Sequence, residues 1–384
     1  MKRVGIITIQ KSEVNYGASL QCYALWHYIK EITGFCQVID LLRPCHQGYV
    51  KSPSFGEKIP PSSFKRSLKK ILVSKLFMNF DNKNFIKRIS KFNLFNSKID
   101  YSRLYRSVEE LYDNPPEYDI YITGSDQVWN PLMPFINDPY FLTFTKKGSI
   151  LSSYASSFGI DTLDELHKKT YRDWLKSYTY ISVRENSGAD IVEEIIETRP
   201  KVTLDPVFLL NVDQWTKVMT RPYDFNLKSF VFLYLLNFDE IIFNNACSIS
   251  RKRGLPLIVV LSEKKSLPTS FAMQLVDVGP SEWLWLIKNA DMVITNSFHG
   301  TAFSIIFRKA MAVFVRGGVA TNSRILTLLE LFQLKDHLFE ISHFSADKAV
   351  DYSIISNRLD YLYNAAREES ISYLNTVLSN DCVN

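Results

Sequence analysis

Short β-branched and aromatic runs that each give way to a segment of helical spacing recur along this chain, and that alternation restricts its fold more than any other feature. Val4 to Ile9 is followed by a helical pattern from Gly17 to Thr33, carried by Leu20, Ala24 and Tyr28 and stopped at Gly34. Gln37 to Leu42 is the next strand, which completes a βαβ unit. Tyr118 to Thr123, Ile150 to Phe158, Tyr178 to Val183 and Val202 to Leu204 continue the series, with helices at about Leu163 to Leu175 and Gly188 to Glu197. A second series runs through Phe230 to Leu236, Leu257 to Leu261, Leu275 to Val278, Met292 to Thr295 and Ala312 to Val315. The expectation is an α/β protein of two doubly wound, Rossmann-like domains facing a cleft. Their extents are 1–210, 211–350 and, for a C-terminal helix packing back on the domains, 351–384, with the join between Asp205-Pro206 and Ser229.

At 384 residues the chain is too long for one ordinary core, and an apolar fraction of 46% with 22% charged suits a globular protein. Its longest apolar runs, such as Phe230 to Leu236, fall short of the roughly 20 residues that span a bilayer. Met1-Lys2-Arg3 passes directly into a strand, unlike a signal peptide, so a cytoplasmic location is expected. Cys22, Cys36, Cys45, Cys247 and Cys382 are scattered without metal-ligand spacing and read as reduced thiols; no metal is expected.

Four strand ends carry chemistry. Asp291 to Ile294 runs into Thr295-Asn296-Ser297, and a helix begins with Phe298-His299-Gly300-Thr301. Such a helix start offers unpaired N–H groups and a positive dipole end to a phosphate or carboxylate. His299 at its mouth is able to be cationic or to move a proton near neutral pH, although a histidine there also serves as a cap or packed surface residue. Asn15, Tyr16 and Gly17 occupy the first strand-to-helix turn, where Gly17 permits close approach of a ligand and Tyr16 suits stacking on a sugar, unless the three merely cap the helix. Ser125 and Asp126 follow the strand ending at Thr123, as a site carboxylate or a cap of the next turn. Arg184 follows Tyr180 to Val183, facing the cleft or pairing with Glu185 or Asp205. Arg316 and Arg324 are further cations near the second cleft wall, more readily structural, though Asn322-Ser323-Arg324 starts a helix. Trp129 and Tyr154 are either sugar platforms or core.

One region breaks the rhythm. Lys58 to Lys91 holds ten Lys or Arg against the single Asp81, in a chain whose formal net charge is only +5. Phe64, Leu68, Ile71, Leu72 and Leu76 lay an apolar stripe on this basic helical insertion, about 57–100. It suits an anionic membrane surface or a lipid diphosphate, or else a solvated insertion packed by its stripe. No nucleic-acid motif accompanies the charge, so no nucleic-acid partner is expected.

Seven segments occur in one order: GIITI, NYGASLQCYAL, YDIYITGSDQVWNP, SSYASSFG, SVRENSG, LDPVFLL and DMVITNSFHGTAFSIIF. Together they resemble the polysaccharide pyruvyl transferase family over nearly the whole chain. Some members carry an Arg two residues before the histidine of the last motif, where this chain has Ser297. The resemblance implies a two-domain fold of the GT-B glycosyltransferase type. It also implies transfer of a pyruvyl group from phosphoenolpyruvate to two hydroxyls of a sugar, as a cyclic ketal, in bacterial capsule or exopolysaccharide assembly. The first domain would then serve the acceptor, lipid-linked or not, and the second the phosphoenolpyruvate. No cofactor is required, and contact with the inner membrane surface would be peripheral.

Within that chemistry Arg184 is a cation for the donor, His299 delivers a proton or holds the leaving phosphate, and Asp126 is the base for the sugar hydroxyl. Asn296, Ser297, Phe298, Gly300 and Thr301 would line the donor site. Two rivals remain. A nucleotide-sugar glycosyltransferase of the same fold would place an acidic residue for the ribose near a second-domain helix start, where only Glu330 is nearby. A non-catalytic sugar-binding or scaffold protein of a polysaccharide assembly cluster would need none of the cleft residues.

Overall fold

The computed structural model describes residues 2–11, 15–52, 82–133, 135, 137–262, 267, 271–315, 323–341 and 352–379. Arg316, Asn322 and the stretch 53–81, which holds most of the basic stripe, lie outside the described residues.

The first sheet has five parallel strands in the order β3-β2-β1-β4-β5: β1 Val4–Ile7, β2 Cys36–Leu41, β3 Tyr101–Tyr105, β4 Ile120–Thr123 and β5 Ile150–Ser153. Its helices are α1 Tyr16–Thr33, α2 Asn82–Asn96 and the short α3 Val108–Asp113. Asn15 caps α1 by accepting the Ala18 N–H, and Gly34 ends it at φ 75, a left-handed geometry that glycine adopts without a Cβ penalty. The run expected as one strand from Ile150 to Phe158 hydrogen-bonds regularly only to Ser153. Beyond it, Ser156 bridges both Asp126 and Val183, which turns the chain toward the cleft. Next come α4 Glu165–Leu175, β6 Ser182–Val183, α5 Asn186–Ile196, β7 Lys201–Val202 and α6 Val212–Thr216, with β6 and β7 as a small parallel pair.

The second sheet has six parallel strands in the order β10-β9-β8-β11-β12-β13. They are β8 Val231–Leu235, β9 Leu257–Leu261, β10 Ala272–Gln274, β11 Met292–Thr295, β12 Ala310–Val315 and β13 Leu338–Glu340. Its helices are α7 Glu240–Arg253, α8 Pro280–Asn289, α9 Phe298–Ile306 and α10 Ser323–Leu331, and α11 Asn357–Ser379 closes the chain. β1, β4, β8, β9 and β11 are buried along their whole length, as expected of parallel strands covered on both faces. The architecture is thus two doubly wound α/β sheets.

An aromatic seam joins them. Tyr16 of α1 stacks on Trp283 of α8 at 5.2 Å and meets Phe92 and Tyr234, and its hydroxyl donates to the Val278 carbonyl at 2.8 Å. Helix α11 straps the seam from the other side. Arg367 donates to the Phe208 and Leu209 carbonyls, Ser370 accepts the Leu204 N–H, and Tyr373 donates to the Ser153 carbonyl. Arg88 of α2 donates to the Leu261 carbonyl and Lys91 pairs with Glu282, so α2 belongs to the seam as well. None of the described helices is long and apolar enough to cross a membrane.

Candidate functional site

Strand order decides where a cleft opens. In the first sheet the chain runs outward in both directions from β1 and β4, and in the second from β8 and β11, so each sheet has a switch point where the loops diverge. Ser125 and Asp126 leave β4, Arg184 and Glu185 leave β6, and Asp205 follows β7. From the second sheet, Ser297 and His299 follow β11, and Arg324 sits in the first turn of α10.

Asp205 ties these residues together. Its carboxylate, with no exposed side-chain surface, accepts from the Arg184 Nη1 at 2.7 Å, the Ser125 hydroxyl at 2.9 Å and the Val207 N–H at 3.1 Å. His299 Nε2 stands 3.6 Å from the same oxygen, within ion-pair range and beyond a hydrogen bond. Arg184, 1% exposed along its side chain, also lies 3.8 Å from Asp126 and 3.9 Å from Glu185, with its guanidinium 4.5 Å over the Phe298 ring. Glu185 is held in turn, accepting from the Ser157 hydroxyl and the Phe158 N–H at 2.9 Å.

Burial by itself would raise the Asp205 pKa, but His299 and then Arg184 hold it well below the usual carboxylate range. Burial likewise works against the Arg184 charge, and Asp205, Asp126 and Glu185 outweigh it, so its pKa rises. The same three carboxylates act on Arg324 too weakly: burial first, then the neighbouring Arg184 cation, pushes it down to about 10.

Arg184 and His299 thus meet at Asp205, with the Arg324 cation within electrostatic reach of Arg184. Arg184 Nε and Nη2, Arg324 Nε and His299 Nε2 are buried without a hydrogen-bond partner among the described residues. Leaving buried donors unmade costs on the order of 1–3 kcal/mol each, more where they are charged, so these nitrogens have the capacity to take an acceptor from outside the chain. A multivalent anion has the complementary chemistry.

Asp126 borders this cluster with its side chain 12% exposed. It adopts φ 74, a left-handed conformation unusual for a residue with a Cβ, and its Oδ1 accepts the Gln127 N–H at 2.9 Å. The carboxylate thus caps the following turn and also faces Arg184.

The remaining expected residues have local tasks. Ser297 caps α9 through the Gly300 N–H, and the Thr301 hydroxyl donates to the Ser297 carbonyl. A Cβ on Gly300 would overlap Thr295, so this glycine brings α9 close to β11. Asn296 accepts from Leu236 N–H and donates to the Asn237 carbonyl, tying β11 to the end of β8.

Three expectations are corrected. Tyr16, Trp129 and Tyr154 are fully buried and leave no ring face for a sugar. Tyr16 belongs to the seam, Trp129 stacks on Phe141 and donates to the Tyr140 carbonyl, and Tyr154 packs in the core near Tyr373. Gly17 does allow a close approach, but the group that comes close is His299, whose ring a Cβ at position 17 would overlap. Asn15 serves as the α1 cap.

Asp205 was weighed in the sequence only as a partner for Arg184. A lone carboxylate between apolar Val202-Thr203-Leu204 and Pro206 was the signal for its burial, though nothing local placed it beneath His299. Behind the cluster lies a cavity of about 200 Å³ lined by Arg184, Asp205 and Phe298 together with residues of β7, α10 and α11. Glu330 is on its wall, paired with Lys335. No group of His, Cys, Asp or Glu among the described residues is arranged to hold a metal ion.

The family model of polysaccharide pyruvyl transferases matches residues 15–317, most of the chain, and the chain belongs to that family. Comparison with curated protein sequences finds no match. Among solved structures, the UDP-GlcNAc 2-epimerase of Neisseria meningitidis bound to UDP-GlcNAc is similar at TM-score 0.47 and 12% identity, covering 98% of this chain and 100% of that one. UGT89C1 of Arabidopsis thaliana complexed with UDP-L-rhamnose follows at 0.45 and 10%, covering 99% and 94%. Anabaena HepE in complex with UDP and glucose stands at 0.46 and 9%, covering 97% and 100%.

Proposed function

Starting from that family membership, we propose that the protein transfers the pyruvyl group of phosphoenolpyruvate to two hydroxyls of a sugar in a polysaccharide or oligosaccharide repeat, with release of phosphate. The observation that carries the reading is the Arg184–Asp205–His299 cluster, in which Arg184 Nε and Nη2 and His299 Nε2 have no hydrogen-bond partner among the described residues, with Arg324 near enough for the Arg184 cation to lower its pKa. Phosphoenolpyruvate brings a phosphate and a carboxylate on adjacent carbons, and two guanidinium groups beside an imidazole match that double charge. Arg324 stands in this scheme for the cation that Ser297 does not provide.

The steps follow from the groups at hand. One sugar hydroxyl adds through oxygen to C2 of the enol while a proton goes to C3, which becomes the methyl group. The second hydroxyl then displaces phosphate from C2 and loses its proton, closing the ketal. Asp126, at the partly open edge of the cluster, takes the hydroxyl proton. His299 delivers the proton to C3 or steadies the departing phosphate, with Asp205, held as an anion, 3.6 Å from its Nε2. Arg184 is a binding cation already fixed by Asp205 and Ser125, so little ordering is needed when the donor arrives.

The test compares the thermal midpoint with phosphoenolpyruvate against UDP-sugars, followed by phosphate release with candidate acceptors. A ligand that binds only the folded state raises the midpoint. Stabilisation by UDP-sugars and none by phosphoenolpyruvate would replace the reading with nucleotide-sugar glycosyl transfer; no response to either would point to a non-catalytic sugar binder.

A further inference from the structure

The 200 Å³ cavity behind Arg184 has a neighbour. It shares Val202, Thr203 and Glu369 with a groove of about 680 Å³ that runs between the β6–β7 pair and α11. We propose that this groove binds a chain of sugar residues, placing one end of the chain at the Arg184–Asp205 pair and the rest along α11.

The walls decide the class of ligand. Tyr178 and Tyr373 both line the groove half-buried, and each is anchored by its hydroxyl: Tyr178 shares a 2.8 Å hydrogen bond with Thr123, and Tyr373 donates to the Ser153 carbonyl at 2.8 Å. With the polar ends fixed inside the protein, the flanks of the rings face the groove as rigid apolar surface, the surface on which the C–H face of a sugar ring packs. Thr179, Thr198, Ser372 and Thr376 add hydroxyls between them. Such alternation of ring and hydroxyl suits a polyhydroxylated ligand better than an aliphatic one.

Charge narrows the choice. Arg199 is taken up by Asp190 at 2.8 Å and Glu193 at 2.5 Å, which leaves Lys201 and Glu369 roughly balanced along the groove. A nucleic acid or other polyanion would need a row of unpaired cations, and a lipid tail would need walls without this density of hydroxyls. A neutral or weakly charged oligosaccharide meets both conditions. The residues it shares with the cavity at Arg184 then make the groove a run of subsites for the sugars attached to the reacting one. That last link rests on the pyruvyl-transfer reading, whereas the binding of sugar chains does not.

The experiment uses the full chain and two blocking variants, Val202→Trp at the junction of cavity and groove and Thr198→Trp on the exposed loop before β7. Both positions are exposed, so a folded product is expected, checked by circular dichroism. Maltotetraose, cellotetraose, mannotetraose, chitotetraose and N-acetyllactosamine dimer are titrated against the parent by saturation-transfer NMR and calorimetry, beside their monosaccharides. At least one tetrasaccharide should bind about tenfold or more tighter than its monosaccharide, and either folded variant should remove that advantage. The thermal shift with phosphoenolpyruvate should be kept by the variants. The proposal is overturned if no tetrasaccharide exceeds its monosaccharide, or if the folded variants bind as the parent does. A missing phosphoenolpyruvate shift in the parent would instead strike the pyruvyl-transfer reading and leave the groove standing.

Discussion

Replacing Arg184 by Met keeps the unbranched apolar stem of the side chain and deletes its guanidinium, which isolates what the buried cation does. In the parent its Nη1 is 2.7 Å from the Asp205 carboxylate, where an effective dielectric near 20 gives an attraction of about 6 kcal/mol before desolvation is subtracted. Breaking one side of a buried pair typically costs about 3–5 kcal/mol, because the surviving charge is left in a poor solvent. Asp205 keeps the Ser125 hydroxyl, the Val207 N–H and His299 at 3.6 Å, so the lower end, about 3 kcal/mol, is expected at neutral pH.

The pH dependence gives the sharper reading. In the parent the folded Asp205 pKa lies below its unfolded value, so its contribution is present above about pH 4 and fades only in stronger acid. Without Arg184 one of the two groups that offset burial is gone and the folded pKa should rise, so the deficit of the variant against the parent grows with pH up to that raised pKa. Urea unfolding followed by tryptophan fluorescence from about pH 3 to pH 7 should therefore show the Arg184→Met deficit growing with pH. The double variant Arg184→Met/Asp205→Asn should flatten that trend and recover part of the loss. A deficit under about 1 kcal/mol, or one independent of pH with the double variant no better than the single, would refute the buried network.

Asp205→Asn alone should lose the part of the acid sensitivity below about pH 4 that the depressed carboxyl supplies, measured as a shallower fall of unfolding midpoint between about pH 4 and pH 2; an unchanged acid profile would show that the depression is not realised. Gly17→Ala forces a Cβ into the His299 ring, so we expect a loss of about 1–3 kcal/mol in stability together with loss of phosphate release, and a variant with parental activity would contradict the packing. Asp126→Asn should lower kcat for phosphate release far more than it weakens phosphoenolpyruvate binding, since proton removal is needed only on the way to the transition state; equal losses would mark the carboxylate as a turn cap alone. Asp126→Gly relieves the left-handed strain at φ 74 and should be close to neutral in urea midpoint while inactive, an outcome reversed if the side-chain bond to Gln127 outweighs the strain.

What could be read from the sequence was whatever local spacing controls. Alternation of β-branched runs with helical segments gives parallel sheets, because a strand, a helix and a return strand pack in only one practical way. The ends of those strands come with it, so Asp126, Arg184 and His299 were legible as residues at carboxyl edges before any tertiary contact was known. Ser297 as a helix cap and Gly34 as a helix stop follow from backbone chemistry at single positions.

Tertiary structure alone decided which faces are covered. Tyr16, Trp129 and Tyr154 have the composition of sugar platforms and became core, because an aromatic ring is equally suited to a cleft and to a seam and only its neighbours choose. Gly17 offered space that His299, from the far half of the chain, takes up. Asp205 became the hub for the same reason: its electrostatics depend on Arg184, Ser125 and His299 arriving from three separate segments, and the strength of a buried charge is set by what surrounds it in space rather than by what precedes it in sequence.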